Sequence, residues 1–389
     1  MKKVSFIHLF SSIAMLISTH IVAQKDCGIQ VKWELAARME NADGSVSTGF
    51  AGAIFGKLGN AIIIAGGANF PDKKPWEGGR KNYSNEIHVL ERSANGFVWN
   101  KLHTSKLAEP VAYCGSTQID DCIVYAGGEN CNGITARAFM LELNKANDGI
   151  TVHEVPQLPV ALTNVALASI GKVVYAFGGD MTSSSSDALY SLDIGKEKLQ
   201  WKQLASLPVA LANTTAVVQN GCLYVIGGRT KTASGISELH NAVFSFDPQK
   251  QAWKNCSPIS DGKNVMNFSA GSGVAVNDSL ILIAGGDNGK VFHEIETYLY
   301  RIAHASTDEE RMKLTVEKNK LNTDHTGFYK GMLLYNTVAD SWRKIGELPF
   351  PAHVTTKAIV EGNNIFLSTG EVKPGVRTPD IMTGKIHID

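Results

Sequence analysis

The chain has 389 residues, 44% of them hydrophobic, and its 37 basic side chains balance 37 acidic ones. That length accommodates two ordinary domains or one large repeat domain, and the apolar content suffices for a buried core. The balanced charge excludes a global field that would draw the protein onto nucleic acid or an anionic membrane, so an anionic ligand must be met by a local cluster.

The first residues carry Lys2 and Lys3, an apolar run from Val4 to Ile17, and Ala23 as a small residue before a cleavage point. This pattern predicts a secretory signal peptide over 1–23 and an exported, periplasmic product comprising residues 24–389 as one domain. Cys27 follows Gln24-Lys25-Asp26 and not the small apolar residues of a lipid-attachment site. No later segment approaches the roughly 20 apolar residues of a membrane span. The six cysteines (Cys27, Cys114, Cys122, Cys131, Cys222, Cys256) have no C-x-x-C spacing that points to zinc. They are expected to be mostly buried thiols in strands, with room for one or two disulfides.

From there the chain repeats itself. Five apolar runs end in Gly-Gly, at Gly67, Gly128, Gly179, Gly228 and Gly286, and a sixth, "NIFLSTG", ends at Gly370 with a single glycine. The intervals are 61, 51, 49, 58 and 84 residues. An apolar segment and a polar turn precede each run, as in "TTAVVQNGCLYVIGG", which reads as a hairpin. A third strand follows ("NAVFSFDP", "DALYSLDI"), then a short strand centred on Trp99, Trp201, Trp253 or Trp342. Four short strands in about 50 residues is the pattern of a kelch-type β-propeller blade, so the fold class is all-β with six blades. The second blade lacks the tryptophan in its fourth strand, "ITVHEV". The sixth has only 19 residues after Gly370, and "VKWELAARM", with Trp33, is expected to supply its missing strand and close the ring. The Gly-Gly pairs and the tryptophans are read as packing features.

The fifth blade carries an insertion from Asp287 to about Phe328. Within it, Ser306 with Glu309 three residues on forms a capping-box pattern, which predicts a helix over about 307–320. The insertion is either a lid or partner surface at the mouth or a surface decoration.

In a propeller the loops leaving the inner strands converge at one end of the axis. The residues just after each glycine pair are therefore candidates: Ala68 to Phe70, Glu129-Asn130, Asp180-Met181, Arg229-Thr230, Asp287-Asn288 and Glu371 to Arg377. Such a ring of polar groups suits a small hydroxyl-rich ligand. Arg377, Arg229 and Arg80, the last in "PWEGGRKNYSNE", are candidates for a fork that grips a carboxylate.

"GEVKPGVRT" at 370–378 resembles the Gly-Glu-x-Lys-Pro-Gly-x-Arg-Thr motif of bacterial N-acetylneuraminate (sialic acid) mutarotases, also called epimerases. "FAGAIFGKLGNAIIIAGGANFPD", "YSNEIHVL", "LYVIGGRTKTASGISELHNAVFSFDPQKQAW" and the insertion near His325 and Phe328 are similar to segments of the same family. The family includes cyclically permuted members, and the position of the Glu-Lys-Pro-Gly segment in the last blade resembles that arrangement. The resemblance implies an exported six-bladed propeller that interconverts α- and β-N-acetylneuraminate, with sialic acid as its partner and neither cofactor nor metal. It implies Glu371 and Arg377 as the catalytic pair; the loop reading adds Arg229, Arg80, Glu129 and Asn288, and the similar insertion adds His325, as substrate-binding candidates. Opening a 2-keto-sugar ring needs a base for the anomeric hydroxyl and an acid for the ring oxygen. Glu371 suits both roles if the pocket raises its pKa, with Arg377 holding the substrate carboxylate and Lys373 solvated.

Three alternatives stay open at this point. A sialidase would show repeated Ser-x-Asp-x-Gly-x-Thr-Trp boxes, and only the misspaced "SLDIGKEKLQW" comes near. A non-catalytic carbohydrate- or protein-binding kelch module is compatible with the fold. A copper oxidase would need paired histidines, whereas His88, His153, His240, His293, His325 and His353 are scattered.

Overall fold

A computed structural model describes residues 28–41, 43–94, 96–100, 105–144 and 149–388. The predicted signal segment and Cys27 lie outside the described residues. Six four-stranded antiparallel sheets form the blades of a propeller. Blade one, for example, runs outward from Ile54–Leu58 through Ala61–Ala65 and Ile87–Ser93 to Gly96–Trp99.

The uniform apolarity of the second strand in each blade follows from its two buried faces. In Ala61–Ala65, Ile62 and Ile64 pack toward blade six while Ile63 and Ala65 pack toward blade two. Among the described residues six hydrophobic clusters result, one at each junction between adjacent blades. The tryptophans complete these junctions as expected. Trp99 Nε1 donates to Arg38 O, Trp201 to Pro156 O, Trp253 to Ala205 O and Trp342 to Ser257 O, each a carbonyl of the preceding blade, at 2.6–3.0 Å.

Ring closure is also as the sequence implies. Ile29–Arg38 pairs antiparallel with Asp380–Ile388 from Ile29↔Ile388 to Arg38↔Asp380, forming the outer edge of blade six. Trp33 in that strand donates to the Met332 sulfur of blade five.

The first glycine of each pair is required by geometry. Gly66, Gly127, Gly178, Gly227 and Gly285 have φ of 62–71°, and a Cβ there would lie 2.0–2.9 Å from a carbonyl oxygen of the next blade. Blade six meets blade one differently: Thr369, fully buried, occupies the equivalent place, and Gly370 has no positive φ.

Five cysteines among the described residues, Cys114, Cys122, Cys131, Cys222 and Cys256, are free thiols, so none of the allowed disulfides joins them. Cys122, Cys222 and Cys256 lie in strands as expected but are half-buried, as is Cys114 just ahead of its strand, and Cys131 is exposed in a turn.

Among the described residues two α-helices, α1 (Lys290–Ala303) and α2 (Asp308–Asp324), fill the fifth-blade insertion. The expected helix is α2, which starts one residue later, ends four residues later and is capped one residue later. Thr307 Oγ1 accepts from Glu310 N–H, and the Glu310 carboxylate accepts from Ser306 N–H. Helix α1 was not anticipated; it packs along α2 and reaches the blade-four loop, where Glu296 accepts from both the backbone N–H and the hydroxyl of Ser237.

Candidate active site at the mouth of the ring

Two concentric sets of residues, one from every blade, define the mouth. The inner set is Gly52, Tyr113, Asn164, Asn213, Ala270 and Thr355, all with φ of 48–64°. Each N–H donates to the carbonyl of the member before it, and Gly52 N–H donates to Thr355 O, so six backbone bonds of 2.7–3.2 Å close a circle around the axis. The strain of five non-glycine residues at positive φ is of order 1 kcal/mol each, and the circle holds it in place. Sequence reasoning missed this feature; Asn164 and Asn213 were the available signal, because asparagine tolerates that conformation.

The second set follows the second strands: Ala68, Glu129, Asp180, Arg229, Asp287 and Glu371. Each is bridged to the residue just before the inner circle (Ala51, Ala112, Thr163, Ala212, Ser269, Val354), so the six side chains occupy equivalent stations. Five stations are charged and one is small.

The charged station of blade six is built by a short ribbon, Gly370–Lys373 paired with Val376–Thr378. Pro374-Gly375 turns it, with φ of 76° at Gly375 as a proline-glycine turn requires. The register places Glu371 directly opposite Arg377, on one face of the ribbon. Their side chains pair, Arg377 Nη1 to Glu371 Oε1 at 2.9 Å, and both are largely buried, 5% and 16% exposed. The Gly375 N–H also donates to Glu371 Oε1. Arg377 Nε donates to Ala68 O at 3.3 Å, and Nη2 donates to the Tyr113 hydroxyl at 3.2 Å. Phe70 stacks 5.2 Å from the guanidinium. The small station in blade one is therefore where Arg377 fits. Burial works against the Arg377 charge, but Glu371 and Tyr113 overcome it and raise its pKa. Burial also raises the Tyr113 pKa, so the phenol keeps its proton.

Asp287, the station beside Glu371, has its carboxyl pKa raised by burial and by the Glu371 charge, against a 2.8 Å bond from Gly289 N–H. Of the four carboxyls at these stations, Glu371 is thus salted to Arg377 while its neighbour Asp287 is pushed toward its protonated form. His325 closes the insertion, buried against Phe328 with ring centroids 5.0 Å apart. Its Nδ1 accepts from Gly327 N–H at 3.0 Å, which leaves the proton of the neutral ring on Nε2. Its pKa is lowered by burial and by Lys373.

The structure brings Glu371, Arg377 and His325 together. Arg229 and Glu129 share the mouth but already have partners. Arg229 forms a two-pronged pair with Asp180, Nη2 to Oδ2 at 2.6 Å and Nη1 to Oδ1 at 3.3 Å. Glu129 Oε1 pairs with Lys81 at 3.1 Å and accepts from the Tyr83 hydroxyl at 2.7 Å, and burial together with that bond pushes the Tyr83 pKa up to about 12. Arg80 and Asn288 are exposed, and neither has a bond to this cluster. Sequence reading left Tyr113 out of the site, and it gave no role to Phe70 and Asp287 among the candidates after the glycine pairs. Asp287 had been legible as the residue after a glycine pair, beside Asn288.

The family model described as N-acetylneuraminate epimerase matches residues 155–389, more than half of the chain. The chain belongs to the N-acetylneuraminate epimerase family. Among its relatives are N-acetylneuraminate epimerases of Salmonella paratyphi B, 29% identical over 229 residues (57% of this chain and 56% of the relative), and of Haemophilus influenzae, 27% identical over 231 residues (59% of each). The enzyme of that name from Salmonella typhimurium is 27% identical over 249 residues, 63% of this chain and 61% of its own. The chain therefore spans less than two thirds of the length of these curated relatives. The match to the epimerase family includes Arg229, Asp287, His325, Glu371 and Arg377, and begins at Val155, where the second blade ends.

Proposed function

We propose that the protein is a mutarotase that interconverts the α and β anomers of N-acetylneuraminate without a cofactor, and that it acts as an exported, periplasmic enzyme. The observation that carries the reading is the cross-strand pair of Glu371 and Arg377, buried at the mouth in a chain of this family.

Mutarotation of a 2-keto-sugar acid requires three things of the site. The anomeric hydroxyl must lose its proton, the ring oxygen must gain one as the C2–O bond breaks, and the carboxylate on C2 must be held while the new ketone is re-attacked on its other face. Glu371 takes the hydroxyl proton. Arg377 holds the carboxylate; its Nη1 is ion-paired with Glu371 but makes no aligned hydrogen bond, which leaves a donor for the substrate. Asp287 delivers the proton to the ring oxygen, because its environment favours the protonated carboxyl. Ring reclosure reverses these transfers, so both carboxyls end as they began. The reaction already proceeds in water, so acid-base transfer plus positioning is a sufficient supply of catalysis.

The test is proton NMR of freshly dissolved α-N-acetylneuraminate. Addition of protein should speed the appearance of the β anomer, and Glu371→Gln should abolish the acceleration while leaving the circular dichroism unchanged. Equilibration at the same rate with and without protein would overturn the proposal in favour of a binding module, and release of a leaving group from a sialoside would replace it with a sialidase.

A further inference from the structure

Below the inner circle the axis is an open channel. Its upper part, about 160 Å³, is lined by the six circle residues and the residues that follow them. Its lower part, about 580 Å³, runs to a rim that includes Lys57, Asp120 and Asp121. Lys357 lines both parts, so it marks the waist.

Lys357 lies two residues after Thr355 of the circle. The equivalent places in the other blades hold Ile54, Gly115, Ala166, Thr215 and Ser272, all uncharged. Among the described residues the Lys357 ammonium has neither a hydrogen bond nor an ion pair. Lys57 at the lower rim, by contrast, is paired with Glu361. The titratable group facing Lys357 is the Cys114 thiol, which burial pushes up to about 12, so it stays neutral and offers no countercharge. Lys357 is half-buried, its side chain flanked by the channel walls and open along the axis. Burial pushes its own pKa down to about 8. A second polar atom on the same upper wall is also without a partner: the buried Ser272 hydroxyl of the neighbouring blade.

An ammonium held in a narrow channel without a protein countercharge favours loss of its proton or recruitment of an anion over water alone. We propose that the waist of the axial channel is a binding site for a small monovalent inorganic anion of chloride size, held by the Lys357 ammonium and the Ser272 hydroxyl. The walls around it are Ala166, Ala216, Gly273 and Ala358, which offer no competing carboxylate. The site is separate from the Glu371–Arg377 mouth and stands independently of the mutarotase reading.

The experiment is chloride-35 NMR on the full protein in sodium gluconate, with chloride added as the probe. The expected result is excess line width that saturates with protein and is displaced by nitrate. It should be lost in Lys357→Met, retained in Lys357→Arg and weakened in Ser272→Ala, while the anomerisation rate stays that of the unaltered protein. Displacement by formate at the same concentrations would extend the ligand class to small carboxylates on the same ammonium. Equal line widths for the unaltered protein and a folded Lys357→Met variant would overturn the proposal. If Lys357→Met does not fold, Lys357→Gln gives the same reading.

Discussion

Glu371 and Arg377 are joined by a bond that each also needs for its own task, which makes their variants informative. Glu371→Gln keeps the shape and the acceptor for Gly375 N–H but removes the base, so the protein-dependent rate should fall by about 10²–10⁴-fold. Arg377→Lys keeps the charge but loses the planar fork that reaches Ala68 O, Tyr113 and Glu371 at once. Its expected signature is weaker substrate saturation together with a reduced rate, read from initial rates against substrate concentration. Asp287 makes a pH prediction. Its raised pKa means that the carboxyl stays protonated to higher pH than an ordinary aspartate and loses its proton as pH rises through the raised value. A proton donor of that kind gives a rate that declines on the alkaline side of its pKa. Asp287→Asn should lower the rate and remove that limb, and an unchanged limb would assign the acid to another group.

Lys357 carries a stability prediction of the opposite sign from most core substitutions. Its pKa falls from 10.5 to about 8 on folding. The unfolded chain therefore binds more protons between those values, and stability rises with pH across that window. Below about 8 the charged lysine penalises the fold, by roughly 3 kcal/mol at the scale of about 1.4 kcal/mol per pKa unit. Lys357→Met should unfold at higher denaturant concentration than the unaltered protein at neutral pH in gluconate, and the gap should close as pH approaches 10.5.

At the scale of the element, the ribbon at 370–378 is where sequence and geometry agree most closely. A proline-glycine turn flanked by short strands sets the register, and the register alone puts Glu371 opposite Arg377. Gly375 is its tightest point: φ is 76°, and a Cβ would lie 2.6 Å from the Pro75 ring of the first-blade loop. Gly375→Ala is expected to cost at least about 1 kcal/mol from the left-handed backbone alone. The loss should be visible as a lower denaturation midpoint and a slower anomerisation rate, since Gly375 N–H anchors the carboxylate. Blade strands were equally legible, because two buried faces write a continuous apolar run that ends where glycine must face a carbonyl. What could not be read is what depends on contacts far apart in the chain. Arg229 looked free to grip a substrate, yet Asp180, one blade away, occupies it. Tyr113 bears no motif in the sequence, yet the circle delivers it to Arg377. Helix α1 was missed because Gly289 at its N-cap offers no side-chain cap, and the cap of α2 shifted because Ser306 and Thr307 are adjacent hydroxyls that compete for one role.

At the scale of the whole molecule, stability comes from six junctions arranged in a ring, so no blade is complete without both neighbours. The first and last described strands meet within one blade, Ile29 opposite Ile388, and nothing in the packing depends on which junction the backbone leaves unjoined. The order of blades along the chain can therefore rotate while the ring stays the same, and the family match that begins at the end of blade two fits that view. This makes two opposite predictions about the same edge. Deleting residues through Arg38 uncovers the ladder of Asp380–Ile388 and removes Ile29 from the cluster between blades five and six. An open edge of that length invites association, so the truncated protein should elute as multimers in size-exclusion chromatography and lose its single cooperative unfolding transition. A circular permutant that joins residue 28 to residue 388 by a short linker and opens the chain in the exposed turn at 195–198 keeps every ladder. It should elute as the parent does, unfold within about 1–2 kcal/mol of it and retain the anomerisation rate, because only an exposed turn is cut. A permutant that aggregates like the truncation would show that the N-terminal strand acts through its position in the chain and not through closure of the ring.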